Sequence, residues 1–138
     1  MKLNGIIEAK LQLMLNGLQK LNGLHIETFE EFKSDYFRLK GIERSFQVLV
    51  EIVIDIAQRL VSIQQLPPAP SSAEAVLKLK DLGVIQTADP YVAMVKFRNY
   101  LVHHYDSLDE KVLFDIFKNR LGEFRSFFDQ VVKYVSTQ

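Results

Sequence analysis

The sequence contains no cysteine. This absence excludes disulfide bonds and thiolate metal sites, and it favours a protein of the reducing cytoplasm. Seventeen Lys and Arg residues balance seventeen Asp and Glu residues, so the formal net charge is zero. Because no bulk charge attracts a polyanion, any contact with nucleic acid must come from a local patch.

No stretch of the chain is apolar enough to predict a signal peptide or a membrane span. The most apolar run, residues 46–63, still carries Glu51, Asp55 and Arg59. Such charges are costly at the centre of a bilayer, so a helix buried in a soluble protein explains this run better. The only proline-rich break, residues 67–70, is too short to separate domains.

Length and composition predict one globular domain over residues 1–138. The chain is 48% hydrophobic and 25% charged, which is the balance of a folded protein with a single core. Its period is helical from the start: an apolar stripe with steps of four and three predicts a first helix over about 3–23. That stripe consists of Ile7, Leu11, Met14, Leu18 and Leu21.

Hydroxyl and carboxylate residues three positions apart mark further helix starts as capping boxes. These pairs are Thr28 with Glu31, Ser71 with Glu74, and Ser107 with Glu110. Asp89-Pro90 predicts a fourth start, with proline at the first helical position. The predicted helices run over about 28–65, with a bend near Gly41, then 72–82, 90–105 and 108–135. The predicted fold is therefore all-α: an antiparallel four-helix bundle with one additional short helix.

Residues 98–105 read Arg-Asn-Tyr-Leu-Val-His-His-Tyr and concentrate groups that bind phosphate and move protons. At about 100° per residue around a helix, Arg98, Asn99, His103 and Tyr105 share one broad face. His104 lies almost opposite the middle of that face. We therefore predict that His103, and not His104, belongs to a shared site.

The spacing R-N-x-x-x-H-x-Y resembles the signature of the HEPN superfamily, and in particular of its HepT-like toxins. Two segments in the second predicted helix add to the resemblance. Glu43-Arg44-Ser45-Phe46-Gln47 looks like the E-R-x-x-Q of that family, and Asp55-Ile56-Ala57 looks like its D-I-A. The order of motifs agrees over residues 36–120, whereas the first helix agrees only in character.

The resemblance implies a metal-independent endoribonuclease toxin that needs no cofactor. It also implies a homodimer whose two motifs meet in one cleft. The 2′-hydroxyl of RNA can attack its own phosphodiester, so such an enzyme needs to move protons and to stabilise a charged phosphorane. Arg98 would hold the phosphate, His103 would shuttle protons, and Asn99 would orient the cleft or a phosphate oxygen.

The resemblance further implies a partner. HepT-like toxins are encoded beside a minimal nucleotidyltransferase antitoxin, which silences the toxin by transferring AMP to the tyrosine of the motif. That tyrosine is Tyr105 here. An adenylate on the Arg98 face would fill the cleft and pair with the arginine.

Each residue also has a structural interpretation. Arg98 can simply complement a helix dipole, and a histidine near a helix end is often a cap. Asp55 lies among apolar residues and needs a cation, for which Arg98 and the i+4 residue Arg59 are the candidates. Glu43 and Arg44 fit salt bridges within the bundle or dimer contacts better than catalysis.

Two other functions remain open at this stage. One is a non-catalytic helical binding subunit of a nucleotidyltransferase, against which the intact motif argues. The other is a structural bundle that matches by chance. The phenylalanines of the last predicted helix recur at helical spacing, which indicates core packing and not base stacking. These are Phe114, Phe117, Phe124, Phe127 and Phe128.

Overall fold

The computed structural model describes residues 5–103 and 107–138, without the side chains of residues 103, 107 and 108, and within this part all regular structure is helical. The predicted all-α class is therefore confirmed. In chain order the elements are α1 (Gly5–Asn22), α2 (Phe29–Ser34), α3 (Tyr36–Ile63), α4 (Ser72–Asp81), α5 (Asp89–His103), α6 (Ser107–Asp115), a π-helical segment (Ile116–Arg120) and α7 (Leu121–Ser136).

Four helices, α1, α3, α5 and α7, form an up-and-down bundle around a single apolar core. α1 lies antiparallel to α3, since Lys10 contacts Asp55 while Gly17 lies against Leu49. A Cβ at Gly17 would sit 3.4 Å from Leu49 Cδ2. This interior glycine therefore marks the close approach of α1 to α3.

Side-chain contacts fix the directions of the other two bundle helices. Rings of Phe46 and Phe124 lie 6.4 Å apart, and Gln64 donates to the Tyr134 hydroxyl at 2.8 Å, so α7 runs parallel to α3. α5 runs antiparallel to α7. The Gln86 amide before α5 bonds Gln130, and the ring of Tyr91 packs on Phe127. It follows that α5 is antiparallel to α3 and ends near the start of α3.

The hydroxyl caps of two predicted capping boxes are confirmed. Thr28 Oγ1 accepts from the Glu31 N–H at 3.1 Å, and Ser71 Oγ accepts from the Glu74 N–H at 3.2 Å. α6 begins at Ser107, but its hydroxyl cap concerns a side chain outside the described part and stays a prediction. α5 begins one residue earlier than predicted, at Asp89.

The long helix predicted over 28–65 is wrong in its first turns. The chain breaks at Asp35, which has extended backbone angles (φ −121°, ψ 102°) and accepts from the Arg38 N–H through Oδ1 at 3.1 Å. Asp35 thus caps a new helix and separates α2 from α3. The helix runs without interruption through Gly41, and the bend predicted near this residue stays a prediction.

α2 is held against the bundle by aromatic packing. Phe32 is completely buried, and its ring lies 5.2 Å from that of Phe114 and 6.1 Å from that of Phe117. The predicted core role is confirmed for Phe117, Phe124 and Phe127, which are buried. Phe114 and Phe128 are only partly buried and pack against the core from its edge.

The single helix predicted over 108–135 contains a π-helical segment between α6 and α7. A π turn adds a residue to the helical repeat and changes the direction of the side chains that follow. Lys118, in this segment, donates to the Ile26 carbonyl oxygen at 2.9 Å and to Glu27 at 3.1 Å. The irregular segment therefore ties the α1–α2 loop to the end of the bundle.

Within the described residues, no helix is long and apolar enough to cross a membrane. This includes α3, which contains the apolar run of residues 46–63. Its buried side faces α1, α4 and α5. The exposed positions include Arg44, Asp55 and Gln58.

Phe32→Ala should destabilise the fold by about 3–5 kcal/mol, because it leaves a cavity among three phenylalanine rings. Phe37→Ala is the matched control: Phe37 is 82% exposed, so its loss should change stability by less than about 0.5 kcal/mol. Urea unfolding followed by circular dichroism measures both values. Equal stabilities for the two variants would show that α2 does not depend on Phe32.

Candidate functional site

The first half of α5 is anchored in the core. The N–H groups of Tyr91 and Val92 donate to the Ala88 carbonyl oxygen, which starts the helix. The Tyr91 hydroxyl donates to the Glu123 carbonyl oxygen at 2.9 Å. Burial raises the pKa of the Tyr91 hydroxyl above its ordinary value, so this group stays a neutral donor.

The second half of α5 emerges from the core at one end of the bundle. Met94, Val95 and Leu101 are buried, whereas Asn99 is exposed and Val102 is 61% exposed. The apolar positions thus hold the helix in place while its polar positions face outward. This is the end of α5 that carries the motif.

Arg98 and Asn99 form a direct contact on this helix. Arg98 Nη1 donates to Asn99 Oδ1 at 2.8 Å. The arginine is half-buried, and its Nε–H is shielded from solvent without a hydrogen-bond acceptor. A guanidinium has five N–H donors in a planar fork, so Arg98 retains donors that an anionic ligand can use.

The structure brings Arg98 and Asn99 of the predicted site together. His103 is the last residue of α5, so the helical backbone continues from Arg98 to His103, as a shared face requires. Its side chain is outside the described part. His104 and Tyr105 lie outside the described residues altogether, and their expected positions stay predictions.

The predicted partners of Asp55 are wrong. Asp55 is exposed, and its carboxylate pairs with Lys10 of α1 at 2.9 Å, not with Arg59 or Arg98. The apolar neighbours in sequence suggested burial, but Asp55 lies on the side of α3 that faces solvent beside α1. Because α5 runs from Phe97 toward the start of α3, Asp55 is also on the far side of Phe46 from the motif. Its contact supports the packing of α1 on α3.

Glu43 and Arg44 were expected to form salt bridges of the bundle or dimer contacts, and each forms an ion pair within α3. Glu43 accepts from Lys40 Nζ at 3.3 Å and from Gln47 Nε2 at 3.4 Å, while Arg44 lies 3.7 Å from Glu51. The sequence did not predict that Glu43 is only 9% exposed. Its environment therefore differs from that of its exposed neighbour Arg44.

The arrangement at the end of α5 can bind a phosphate. One half-buried guanidinium is oriented by an amide, and a histidine backbone follows within the same helix. Charged donors bind phosphate oxygens strongly, and partial burial strengthens that interaction. Among the side chains that the structure describes, no group of three or more His, Asp or Glu residues is placed to hold a metal ion.

Comparison with known proteins places this chain in a family. Residues 14–131 match the sequence profile of the ribonuclease HepT-like family. The chain is 24% identical over 134 residues to the tRNA nuclease HepT of Aphanizomenon flos-aquae, covering 96% of this chain and 91% of that protein. It is 25% identical over 131 residues to the mRNA nuclease HepT of Shewanella oneidensis, covering 94% and 98% respectively.

Solved structures show the same fold. A tri-AMPylated Shewanella oneidensis HEPN toxin, solved in complex with an MNT antitoxin, is similar with a TM-score of 0.85 and 25% identity, covering 95% of this chain and 99% of that one. A toxin–antitoxin structure with AMP-PNP gives a TM-score of 0.84 at 24% identity, covering 94% of this chain and 99% of that one. Because residues 14–131, most of its length, match the family profile, the chain belongs to the ribonuclease HepT-like family of nuclease toxins.

Proposed function

We propose that this protein is an endoribonuclease that cleaves RNA by attack of the ribose 2′-hydroxyl on the adjacent phosphodiester, without a metal ion. The Arg98–Asn99 contact at the open end of α5, in a chain of this family, is the observation that carries the proposal. The two relatives are named for different RNA classes. RNA cleavage is therefore what transfers to this chain, and the choice between tRNA and mRNA does not.

The reaction needs a proton acceptor, a proton donor and stabilisation of negative charge on phosphorus. Arg98 supplies the last, because its guanidinium can hold two phosphate oxygens while charge develops in the transition state. Its contact with Asn99 limits the rotation of the guanidinium. The imidazole of histidine can accept or donate a proton, so His103 can serve in either role.

A homodimer would supply the second proton-transfer group. One His103 per chain is fewer than a reaction with two proton transfers prefers, and a two-fold axis between the motifs brings a second one into the same cleft. The surface around the motif suits an interface. Val102 is 61% exposed and Tyr100 is 43% exposed, and aromatic and aliphatic groups are usual in the centre of an interface.

Arg98→Ala and His103→Ala should each abolish RNA cleavage measured in EDTA, a loss of at least about 100-fold, because each removes charge stabilisation or proton transfer. His104→Ala is the matched control and should keep most of the activity. Products of the unmodified protein should carry 2′,3′-cyclic phosphate ends. Circular dichroism should show unchanged helix content in all three variants.

Strict dependence of cleavage on an added divalent metal would contradict this mechanism. A protein that binds a nucleotidyltransferase but never cleaves RNA in its unmodified form would instead fit the non-catalytic binding subunit.

Val102→Glu should convert the dimer to a monomer and lower cleavage, because it places a carboxylate at the contact between the two motif helices. Leu77→Glu, at a 44% exposed position of α4, is the control and should leave the oligomeric state and the cleavage activity unchanged. Light scattering and a cleavage assay on the same samples measure the effect. The interface should bury about 1,600 Å² or more in total. A wild-type monomer at micromolar concentration would exclude the composite site.

We further propose that a minimal nucleotidyltransferase silences this protein by transferring AMP to Tyr105. The Shewanella toxin described above is AMPylated and bound to its antitoxin, which supports the same kind of partner here. If Tyr105 follows Arg98 on one helix face, the adenylate fills the cleft. Its phosphate charge also competes with RNA for the Arg98 guanidinium.

Tyr105→Phe should cleave RNA and escape the antitoxin, because the ring remains but the nucleophilic oxygen is gone. With the wild type, ATP and magnesium, cleavage should fall in proportion to the AMP-modified fraction measured by intact mass. Tyr100→Phe is the control and should still be silenced, since Tyr100 is an exposed tyrosine on the same helix. AMP found only at Tyr36, Tyr91, Tyr100 or Tyr134 would show that the modified residue is misassigned.

A further inference from the structure

Glu43 is a buried carboxylate for which the proposed reaction has no use. It lies on the core side of α3 with 9% exposure. Burying a carboxylate is costly unless strong partners compensate. The two contacts described for it, with Lys40 at 3.3 Å and Gln47 at 3.4 Å, are long and come from its own helix. Glu43 therefore has the capacity to accept a stronger hydrogen bond.

Arg98 has the complementary deficiency. Its Nη1 is bonded to Asn99, but its Nε–H is buried without an acceptor. A buried N–H of a charged group costs free energy when it is left unpaired. The carboxylate has acceptor capacity to spare and the guanidinium has a donor to spare, and they belong to two helices that pack together.

The contact between Phe46 of α3 and Phe97 of α5 locates these two residues relative to each other. The two ring centroids lie 5.7 Å apart and mark the line of contact between the helices. At about 100° and 1.5 Å per residue, Glu43 lies roughly 60° around α3 from Phe46, and Arg98 lies roughly 100° around α5 from Phe97.

Both rotations have the same sense when each helix is viewed along its own chain direction. Because α3 and α5 are antiparallel, equal senses of rotation place Glu43 and Arg98 on the same side of the line of contact between the two helices. Along the bundle axis, Glu43 is about 4.5 Å from Phe46 and Arg98 about 1.5 Å from Phe97 in the same direction, so the two differ by only about 3 Å. A long arginine side chain spans that offset.

We propose that Glu43 is the positioning residue of the site: in the competent arrangement its carboxylate accepts from Nε–H and one terminal N–H of Arg98. This inference rests on the proposed ribonuclease function. A carboxylate on that edge of the planar guanidinium fixes its orientation, and the remaining N–H groups stay directed at a phosphate. The contact with Asn99, made through Nη1 alone, limits the rotation of the guanidinium less than a carboxylate that holds Nε–H and a terminal N–H together.

Glu43→Gln should lower kcat for RNA cleavage roughly 10- to 100-fold with little change in KM, as expected when a partner that orients a functional group is lost. Glu43→Asp, which keeps the charge, should recover part of the loss. Asp129→Asn is the control: it also removes one carboxylate paired with an arginine, but on the surface of α7, and kcat should not change. Unchanged kcat in Glu43→Gln would overturn the proposal.

Chemical rescue gives a second measurement. In Arg98→Ala, added methylguanidinium should restore part of the cleavage, because Glu43 remains to bind it in the vacated space. In the double variant Arg98→Ala/Glu43→Gln the same concentration should restore at least about tenfold less. Equal rescue in both backgrounds would show that Glu43 does not hold the guanidinium.

A third measurement needs no nuclease activity, so it separates failure of this inference from failure of the proposed function. In ¹⁵N spectra, the Arg98 Nε–H of the wild type should exchange slowly with solvent and shift on Glu43→Gln, but not on Asp129→Asn. If Glu43→Gln leaves the chemical shift and exchange rate of the Arg98 Nε–H unchanged, the contact is rejected even if the protein cleaves RNA. A wild type that shows the contact but cleaves no RNA would reject the function alone.

Discussion

The contact of three phenylalanine rings sets the position of the second half of α5, which carries the proposed site. Phe46 of α3 packs on Phe97 of α5 at 5.7 Å and on Phe124 of α7 at 6.4 Å. Phe46 and Phe124 are buried, so the contact cannot shift without opening the core. Because Phe97 immediately precedes Arg98, the packing that stabilises the bundle also sets the position and direction of the motif. A substitution in this cluster would therefore shift the position of Arg98.

Local irregularities give the bundle its shape around that cluster. Asp35 ends one helix and caps the next, so α2 can turn and place Phe32 between Phe114 and Phe117. Near the same end of the bundle, the π-helical segment directs Lys118 to the Ile26 carbonyl oxygen. Both features join residues from distant parts of the sequence. They close the end of the core opposite the loop between α3 and α4.

The proposed site depends on local charge, because the net charge of the whole chain is zero. With a net charge of zero, no long-range field concentrates RNA at the surface. Any affinity of the C-terminal end of α5 for phosphate must come from a few cations in a partly buried setting, where each interaction is stronger. A single added phosphodiester beside Arg98 would then be enough to neutralise it, which gives a physical reason why modification of one tyrosine could silence such a protein.

The sequence by itself determined the helical class and most helix starts, and it predicted the residue types of the proposed site, because periodicity, capping and the spacing of Arg98, Asn99 and His103 are local properties. The resemblance to HepT-like toxins, read from the same residues, agrees with the family match. The tertiary structure alone decided which residues meet. Asp55 pairs with Lys10, 45 positions away, and the burial of Glu43 follows from helix packing. No local pattern specifies such pairs, since they arise only when the faces of separate helices are brought into register.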